Sequence, residues 1–432
     1  MRGIRISKFT GDLIWTHGAF AIMASSGLLL NLLLGIAYGA EGLGVFSQAM
    51  AAYVVMSQLS VGGAHLAVFR SVAALEQDNE QDLAAICASG VLVAGVWGAV
   101  GGVILLLAAA PLGALLQSPP VGTAIFYVSL ALPFTAVNKV LIAILNARQR
   151  MRHYAIAQAT RYLLLLAFVA GAYLLSHDVT VAALCFVAAE ASVLTFLLID
   201  RDVRRCLRPN AVQRAKVRDI SRFGARAMGS GLAAELNIRT DIFMIGLLMN
   251  DTAAGVYALA SVIYEGVLNA VYAIRTNLNP ILVRSTARSD WSELERLLRR
   301  LLLILNPITV MLLVAAWLFY EPVIGFVFND PVLAGGLSPL LILMAPLTLL
   351  AGFLALDQLI LQSGRAGAYT LVLAGGFVLN IVLNAVLVPA IGLDGAALST
   401  AAAFAFTTLA LFILFCSGSG WRPDWRRVLR LP

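Results

Sequence analysis

Charge is scarce in this 432-residue chain: 12% of its residues are Asp, Glu, Lys or Arg, 60% are apolar, and the mean hydropathy is +0.89. Soluble domains carry roughly a quarter charged residues. A water-facing surface cannot be assembled from so few charges, so lipid must be part of the solvent. Cysteine is equally sparse. Cys87, Cys185, Cys206 and Cys416 stand singly, with no CxxC and no nearby His, which leaves a disulfide framework or a metal site without support. No P-loop pattern occurs, which argues against energy from bound nucleotide. The net charge of +7 could point to nucleic acid, but the basic residues fall in short runs between apolar blocks, a mark of membrane topology. No nucleic-acid partner, cofactor or metal is expected. The basic start, MRGIRISKFTGDLIW, leads into an apolar stretch from about Leu13 to Ala37 without a small-residue cleavage site, so it reads as a retained helix.

What is present is a series of apolar stretches long enough to cross a bilayer, each of about 20 residues or more. They fall near 13–37, 43–69, 83–110, 120–147, 154–175, 179–199, 223–249, 253–283, 297–319, 333–362, 366–388 and 395–416. The segments joining them sort by charge. One set holds Arg2, Arg5 and Lys8; Arg70; Arg148, Arg150 and Arg152; the basic run 201–222; Arg284 to Arg300; Arg365; and Arg422 to Arg430. The other set, around 38–42, 111–119, 176–178, 250–252, 320–332 and 389–394, has no Lys or Arg and carries Glu41, Asp178, Asp251, Glu321, Asp330 and Asp394. A miscount by one helix would scramble this separation. The positive-inside rule therefore predicts an all-α, polytopic protein of about twelve transmembrane helices with both termini cytoplasmic.

The longest polar connection, 201–222, divides the chain into an N-terminal six-helix lobe (1–200) and a C-terminal six-helix lobe with a cytoplasmic tail (223–432). Internal similarity follows the same division. GVFSQAMAAY (44–53) recurs as GVYALASVIY (255–264), and LNARQRMRHY (145–154) resembles LQSGRAGAY (361–369). Six-helix repeats that begin on the same side are parallel repeats with a pseudo-two-fold axis along the membrane normal. Two such bundles around a central cavity are expected, which is a transporter architecture.

Three stretches carry a family resemblance: GLGVFSQAMAAYVVMSQLSVGGAHLAVFR (42–70), RTDIFMIGLLMNDTAAGVYALA (239–260), and LQSGRAGAYTLVLAGGFVLNIVLNAVLVPAIGLDGAALST (361–400) with Asn380, Asn384 and Pro389. They resemble the Wzx-type oligosaccharide flippases, the polysaccharide-transporter branch of the MOP exporter superfamily. Twelve spans rather than fourteen, Arg70, and the Arg239–Asp241 pairing favour that branch over peptidoglycan-precursor flippases and drug exporters. The resemblance implies outward flipping of a polyprenyl-pyrophosphate oligosaccharide by alternating access. It implies no enzymatic activity. The partners it implies are the lipid-linked oligosaccharide and the phospholipid bilayer, together with a polymerase or glycosyltransferases of the same pathway.

Charges within spans are costly and mark candidate sites. Lys139, Arg161, Arg226 and Arg275 fall in the cytoplasmic half of their spans, and Glu190, Glu235 and Arg239 near the middle. Asp241 and Glu265 fall in the outer half, and Asp357 lies in the tenth span without an obvious neighbour of opposite charge. Arginine offers a fork of donors to phosphate oxygens, so Lys139, Arg161, Arg226, Arg239 and Arg275 are the expected substrate-binding residues. For Arg226 and Arg275, snorkelling to the headgroups stays open. Asp241, Glu235, Glu265 and Asp357 are the expected ion-coupling residues for H+ or Na+. On the seventh span Arg226, Asn237 and Asp241 share a face at about 100° per residue, while Glu235 and Arg239, four apart, are placed to neutralise each other. His17 and His65 read as packing residues. A cation-coupled multidrug exporter is the main alternative. A membrane polysaccharide polymerase is disfavoured because the outward loops are short and lack Lys and Arg.

Overall fold

The computed structural model describes residues 2–75, 79–288, 291–328, 330–363 and 365–428, and all regular structure among them is helical. The His17 side chain lies outside the described residues. The chain forms two compact units, Met1–Glu235 and Leu236–Pro432. The first contains α1 (Arg2–Ser60), α2 (Ala64–Ala73), α3 (Glu80–Leu115), α4 (Pro119–Ser129), α5 (Leu132–Ala147), α6 (Met151–Leu175), α7 (Val179–Ile199), α8 (Arg201–Cys206) and the start of α9 (Arg214–Leu248). The second contains the rest of α9, then α10 (Asp251–Arg288), α11 (Trp291–Val327), α12 (Leu337–Leu354), α13 (Leu359–Gln362), α14 (Ala366–Ile391), α15 (Leu393–Ser419) and α16 (Trp425–Val428).

Among the described residues nine helices are long and apolar enough to cross a membrane, and the pair α4–α5, bent by 47°, makes a tenth. The two further predicted spans are accounted for by backbone and charge. Helix α1 holds the first two, joined through Gly39, whose φ of 68° and ψ of −171° interrupt the helix in a region open to glycine. Helix α9 holds the seventh, and Arg226, Glu235, Arg239 and Asp241 keep its hydropathy low. The predicted all-α, polytopic, two-bundle class is thus the observed one, with nine to ten spans of sufficient length and apolarity among the described residues.

The interior of several predicted spans is less regular than their hydropathy. The second is broken at Val61–Gly63 between α1 and α2. The fourth bends where Pro133 follows Leu130 and Ala131, because proline has no N–H to offer the carbonyl four residues earlier. The tenth is interrupted at 355–358, which leaves Asp357 in a turn between α12 and α13. Polar caps fix several starts: Asn79 accepts from Asp82 N at α3, Ser118 from Val121 N at α4, and Asp178 from Thr180 N at α7.

Side-chain exposure separates the protein-facing from the lipid-facing surface. Inside the first unit, Val68, Cys87, Val140, Leu141, Leu197 and Ile220 belong to one buried apolar cluster. On the outside, Leu107, Leu174, Leu175, Met311 and Phe326 stand open, an arrangement that is stable only if acyl chains cover it.

One backbone crossing is tight enough to test. Gly63 has φ +66°, and a Cβ added there would sit 2.2 Å from the Gly224 carbonyl oxygen of α9. Gly63→Ala therefore combines left-handed strain with a backbone clash and should cost on the order of 1–3 kcal/mol. A lowered melting temperature of the purified chain is the expected result; an unchanged one would show that α9 does not press on this break.

Candidate polar sites within each unit

In the first unit Arg161 and Glu190 sit at the heart of one hydrogen-bonded network. Its centre is Glu190 of α7, 3% exposed. Arg161 of α6 meets it through Nε, 2.9 Å from Oε1, and through Nη2, 3.3 Å from Oε2. The Tyr53 hydroxyl of α1 donates to Oε1 at 3.2 Å and lies 2.6 Å from Thr135 Oγ1. Asn138 of α5, fully buried, donates to Oε2 at 2.7 Å and to the Glu190 carbonyl at 2.9 Å. In the same unit Lys139 Nζ donates to the carbonyl and hydroxyl of Ser57 at 3.1 and 3.0 Å, so its partners are neutral. The Gln58 amide donates to Glu235 at 3.3 Å. A buried carboxylate is tolerable in low dielectric only when it is paired and hydrogen-bonded, and Glu190 meets both conditions.

The second unit holds a different arrangement. Asp241 of α9, also 3% exposed, has neutral partners: Tyr257 of α10 donates to Oδ2 at 3.1 Å, the Thr400 hydroxyl of α15 donates to the same oxygen, and Asn384 of α14 donates to Oδ1 at 2.9 Å. Asn380, one turn earlier on α14, donates to Thr400 Oγ1 at 3.1 Å. The side-chain oxygen of Asn384 is buried and without a hydrogen-bond partner. One carboxylate among neutral oxygens suits a proton or a monovalent hard cation. A transition metal would require several His, Cys, Asp or Glu side chains together, and no such group occurs among the described residues.

Two ion pairs complete the second unit. Arg239 Nη1 lies 3.6 Å from Glu265 Oε1. Arg275 Nη1 lies 2.7 Å from Asp357 Oδ2, and the same guanidinium stacks 4.1 Å from the Tyr272 ring centroid. Two expectations from the sequence are corrected here. Arg239 turns to Glu265 rather than to Glu235, because the neighbouring helix offers a carboxylate across the interface. Asp357 does have a cation, Arg275, which the turn between α12 and α13 brings to it from a distant part of the chain. Of the two residues expected to share a face of α9, Arg226 is exposed and Asp241 buried. Of the predicted substrate residues, Arg161, Arg239 and Arg275 are each paired with an acid, and Lys139 is hydrogen-bonded to Ser57.

The residues that sequence reasoning did not place in a site are mostly neutral. Tyr53, Thr135, Asn138, Tyr257 and Thr400 give no signal in an apolar span. Asn380 and Asn384 could have been found from their four-residue spacing, which puts both on one helical face; Glu190 stands out by its charge, though the sequence assigns it no role. His65 is half-buried, with its Nδ1 unpartnered.

The polysaccharide biosynthesis protein family matches residues 13–286, more than half of the chain. No curated protein matches the sequence. Among solved structures, an inward-facing multidrug resistance MATE family transporter of the MOP superfamily is similar at a TM-score of 0.76 and 15% identity, over 92% of this chain and 94% of that one. The lipid II flippase MurJ in an inward closed conformation is similar at 0.74 and 13% identity, over 93% and 87%. A MOP superfamily transporter from Pyrococcus furiosus is similar at 0.61 and 16% identity, over 95% of each chain. With a family match across most of the first unit and continuous structural likeness through the second, the chain belongs to the polysaccharide biosynthesis protein family and is a multi-pass membrane protein with the fold of MOP-superfamily transporters.

Proposed function

We propose that this protein moves a polyprenyl-pyrophosphate-linked oligosaccharide from the inner to the outer leaflet of a bacterial inner membrane by alternating access, coupled to H+ or Na+. The observation that carries the reading is Lys139, an intramembrane ammonium whose hydrogen bonds among the described residues go to Ser57, with the Arg161–Glu190 pair in the same unit. An intramembrane cation that makes no direct salt bridge is costly and is retained when an anion visits it. A pyrophosphate supplies that anion. The sugar's hydroxyls cannot cross hydrocarbon unaided, since each unsatisfied polar group costs several kcal/mol, whereas the polyprenyl tail can stay in lipid throughout. With the cell interior negative, an outward-moving anion gains about 2.3 kcal/mol per charge per 100 mV, so ion coupling assists the cycle without being obligatory. Both termini are cytoplasmic in this reading, as the distribution of Lys and Arg requires, and glycosyltransferases on that side would supply the substrate.

The exporter of cationic drugs is the competing reading, favoured by likeness to a multidrug transporter at the level of fold. Lys139 and Arg161 would repel such cargo. Lys139→Ala decides between them. Removing a side chain whose partners are neutral should leave folded abundance unchanged while lowering the flipping of a fluorescent polyprenyl-pyrophosphate sugar in proteoliposomes at least tenfold. Normal flipping by the variant would remove the anionic-substrate assignment, and efficient export of cationic dyes by the wild type would replace it.

A further inference from the structure

Resting on that reading, we propose that Glu190 is a resident counter-ion that competes with the substrate's pyrophosphate for Arg161. Loading would then be an exchange of one anion for another, and release the reverse. Glu190 would act as a positioning residue, setting how tightly the headgroup is held.

The geometry points to exchange for three reasons. First, Glu190 does not depend on Arg161 alone. Tyr53 and Asn138 also donate to its two carboxylate oxygens, at 3.2 and 2.7 Å, so the carboxylate keeps two hydrogen bonds when the guanidinium turns away. Second, Arg161 is not used up. A guanidinium has five N–H donors in a planar fork; Nη2 donates to Glu190 while Nε lies 2.9 Å from Oε1 without bonding it, which leaves Nη1 for a second acceptor. The Arg161 side chain is 19% exposed where that of Glu190 is 4%, so the cation has the accessible end of the pair and the carboxylate the enclosed one. Third, Lys139 follows Asn138 directly on α5, and its ammonium, with three donors, spends its contacts on Ser57. The donor to Glu190 and this cation are thus consecutive residues, and movement of α5 would shift both together.

The arrangement solves a problem that a bare cation pocket would have. Two desolvated cations on a pyrophosphate give strong charge-assisted bonds, and a substrate held that firmly in the ground state would be released slowly. A carboxylate already seated on Arg161 must be displaced on loading and returns on release. The net change is the difference between two ion pairs, rather than the creation and rupture of one. Asp241 in the second unit differs in kind, since it keeps neutral partners and no arginine.

The test uses the full chain in nanodiscs, with farnesyl pyrophosphate and inorganic pyrophosphate as probes. Glu190→Gln keeps the size of the side chain and an acceptor for Tyr53 but frees Arg161. It should bind both probes at least tenfold more tightly than wild type while flipping the fluorescent polyprenyl-pyrophosphate sugar more slowly. Arg161→Gln/Glu190→Gln removes both charges together and should fold to wild-type abundance without that gain in affinity. Unchanged or weaker binding by folded Glu190→Gln, with Lys139→Gln abolishing binding, would overturn the counter-ion role and leave the anionic-substrate reading standing. Equal gains in the single and double variants would also overturn it, because Arg161 would then not be the ligand. If neither wild type nor Glu190→Gln binds either probe, the pyrophosphate reading falls and this proposal falls with it. Should Glu190→Gln fail to fold, Glu190→Asp decides: its shorter carboxylate holds Arg161 less closely and should bind both probes more tightly than wild type, and unchanged or weaker binding by it refutes the proposal.

Discussion

Arg161→Ala should lower both flipping and the amount of folded protein. On sequence alone the expectation is different: a cation lining a wet passage can be truncated without consequence for abundance. The structure changes this because Arg161 is one half of a buried pair with Glu190. Breaking such a pair by deleting one partner costs about 3–5 kcal/mol, as the other charge is left uncompensated. The lower end applies here, since Tyr53 and Asn138 continue to donate to the carboxylate. Against a total stability of roughly 5–15 kcal/mol, a loss of about 3 kcal/mol is enough to reduce folded yield several-fold. Fluorescence-detected gel filtration after mild extraction would measure it, and Arg161→Ala/Glu190→Gln should recover most of the loss. A single variant as abundant and heat-stable as wild type would show that the pair contributes nothing to folding. Lys139→Ala is the necessary contrast, because no acid is stranded when Lys139 goes.

That difference between two neighbouring cations marks where the sequence stops being informative. Topology was legible because it depends on bulk properties: apolar length fixes the spans and Lys/Arg asymmetry fixes their direction. The intramembrane charges were legible for the same reason, since any ionisable residue is conspicuous among Leu, Val and Ala. Their pairing was not. Arg275 and Asp357 lie 82 residues apart, and only the turn at 355–358 brings them together. Glu235 and Arg239 follow the four-residue spacing of helical pairs, yet each finds its partner on another helix, Gln58 and Glu265. Local spacing predicts pairs on isolated helices, where solvent is the only competitor; inside a bundle every neighbouring helix competes as well. Most of the neutral groups were invisible. Nothing distinguishes Asn138 or Thr400 from an ordinary polar residue on a small-residue face until the carboxylate beside it is known.

Asp241→Asn should abolish ion dependence while sparing the fold. The four acids expected to couple ions now separate by their surroundings. Glu265 and Asp357 face arginines, and Glu235 is half-buried with one amide donor. Asp241 is enclosed by Tyr257, Thr400 and Asn384, with the Asn384 oxygen buried and unpartnered beside it. An arginine already neutralises an acid and leaves little for a transported cation to gain, whereas an anionic oxygen among neutral oxygens retains its attraction. A cation bound only to the folded state at 100 times its dissociation constant adds about 2.7 kcal/mol, readable as a rise in melting temperature with Na+ but not with choline. Asp241→Asn should lose that rise, because its amide carries no charge and presents N–H where the cation would need an acceptor. It should fold, because removing a lone buried charge relieves desolvation rather than stranding a partner. If the wild type responds to pH but not to Na+, and the variant to neither, the coupled ion is a proton at the same carboxylate. If wild type and variant respond alike to both, Asp241 is a packing residue and coupling must be sought at another acid. The contrast with Glu190 then defines the division of labour: a buried acid tied to an arginine governs an anion, and a buried acid left with neutral company governs a cation.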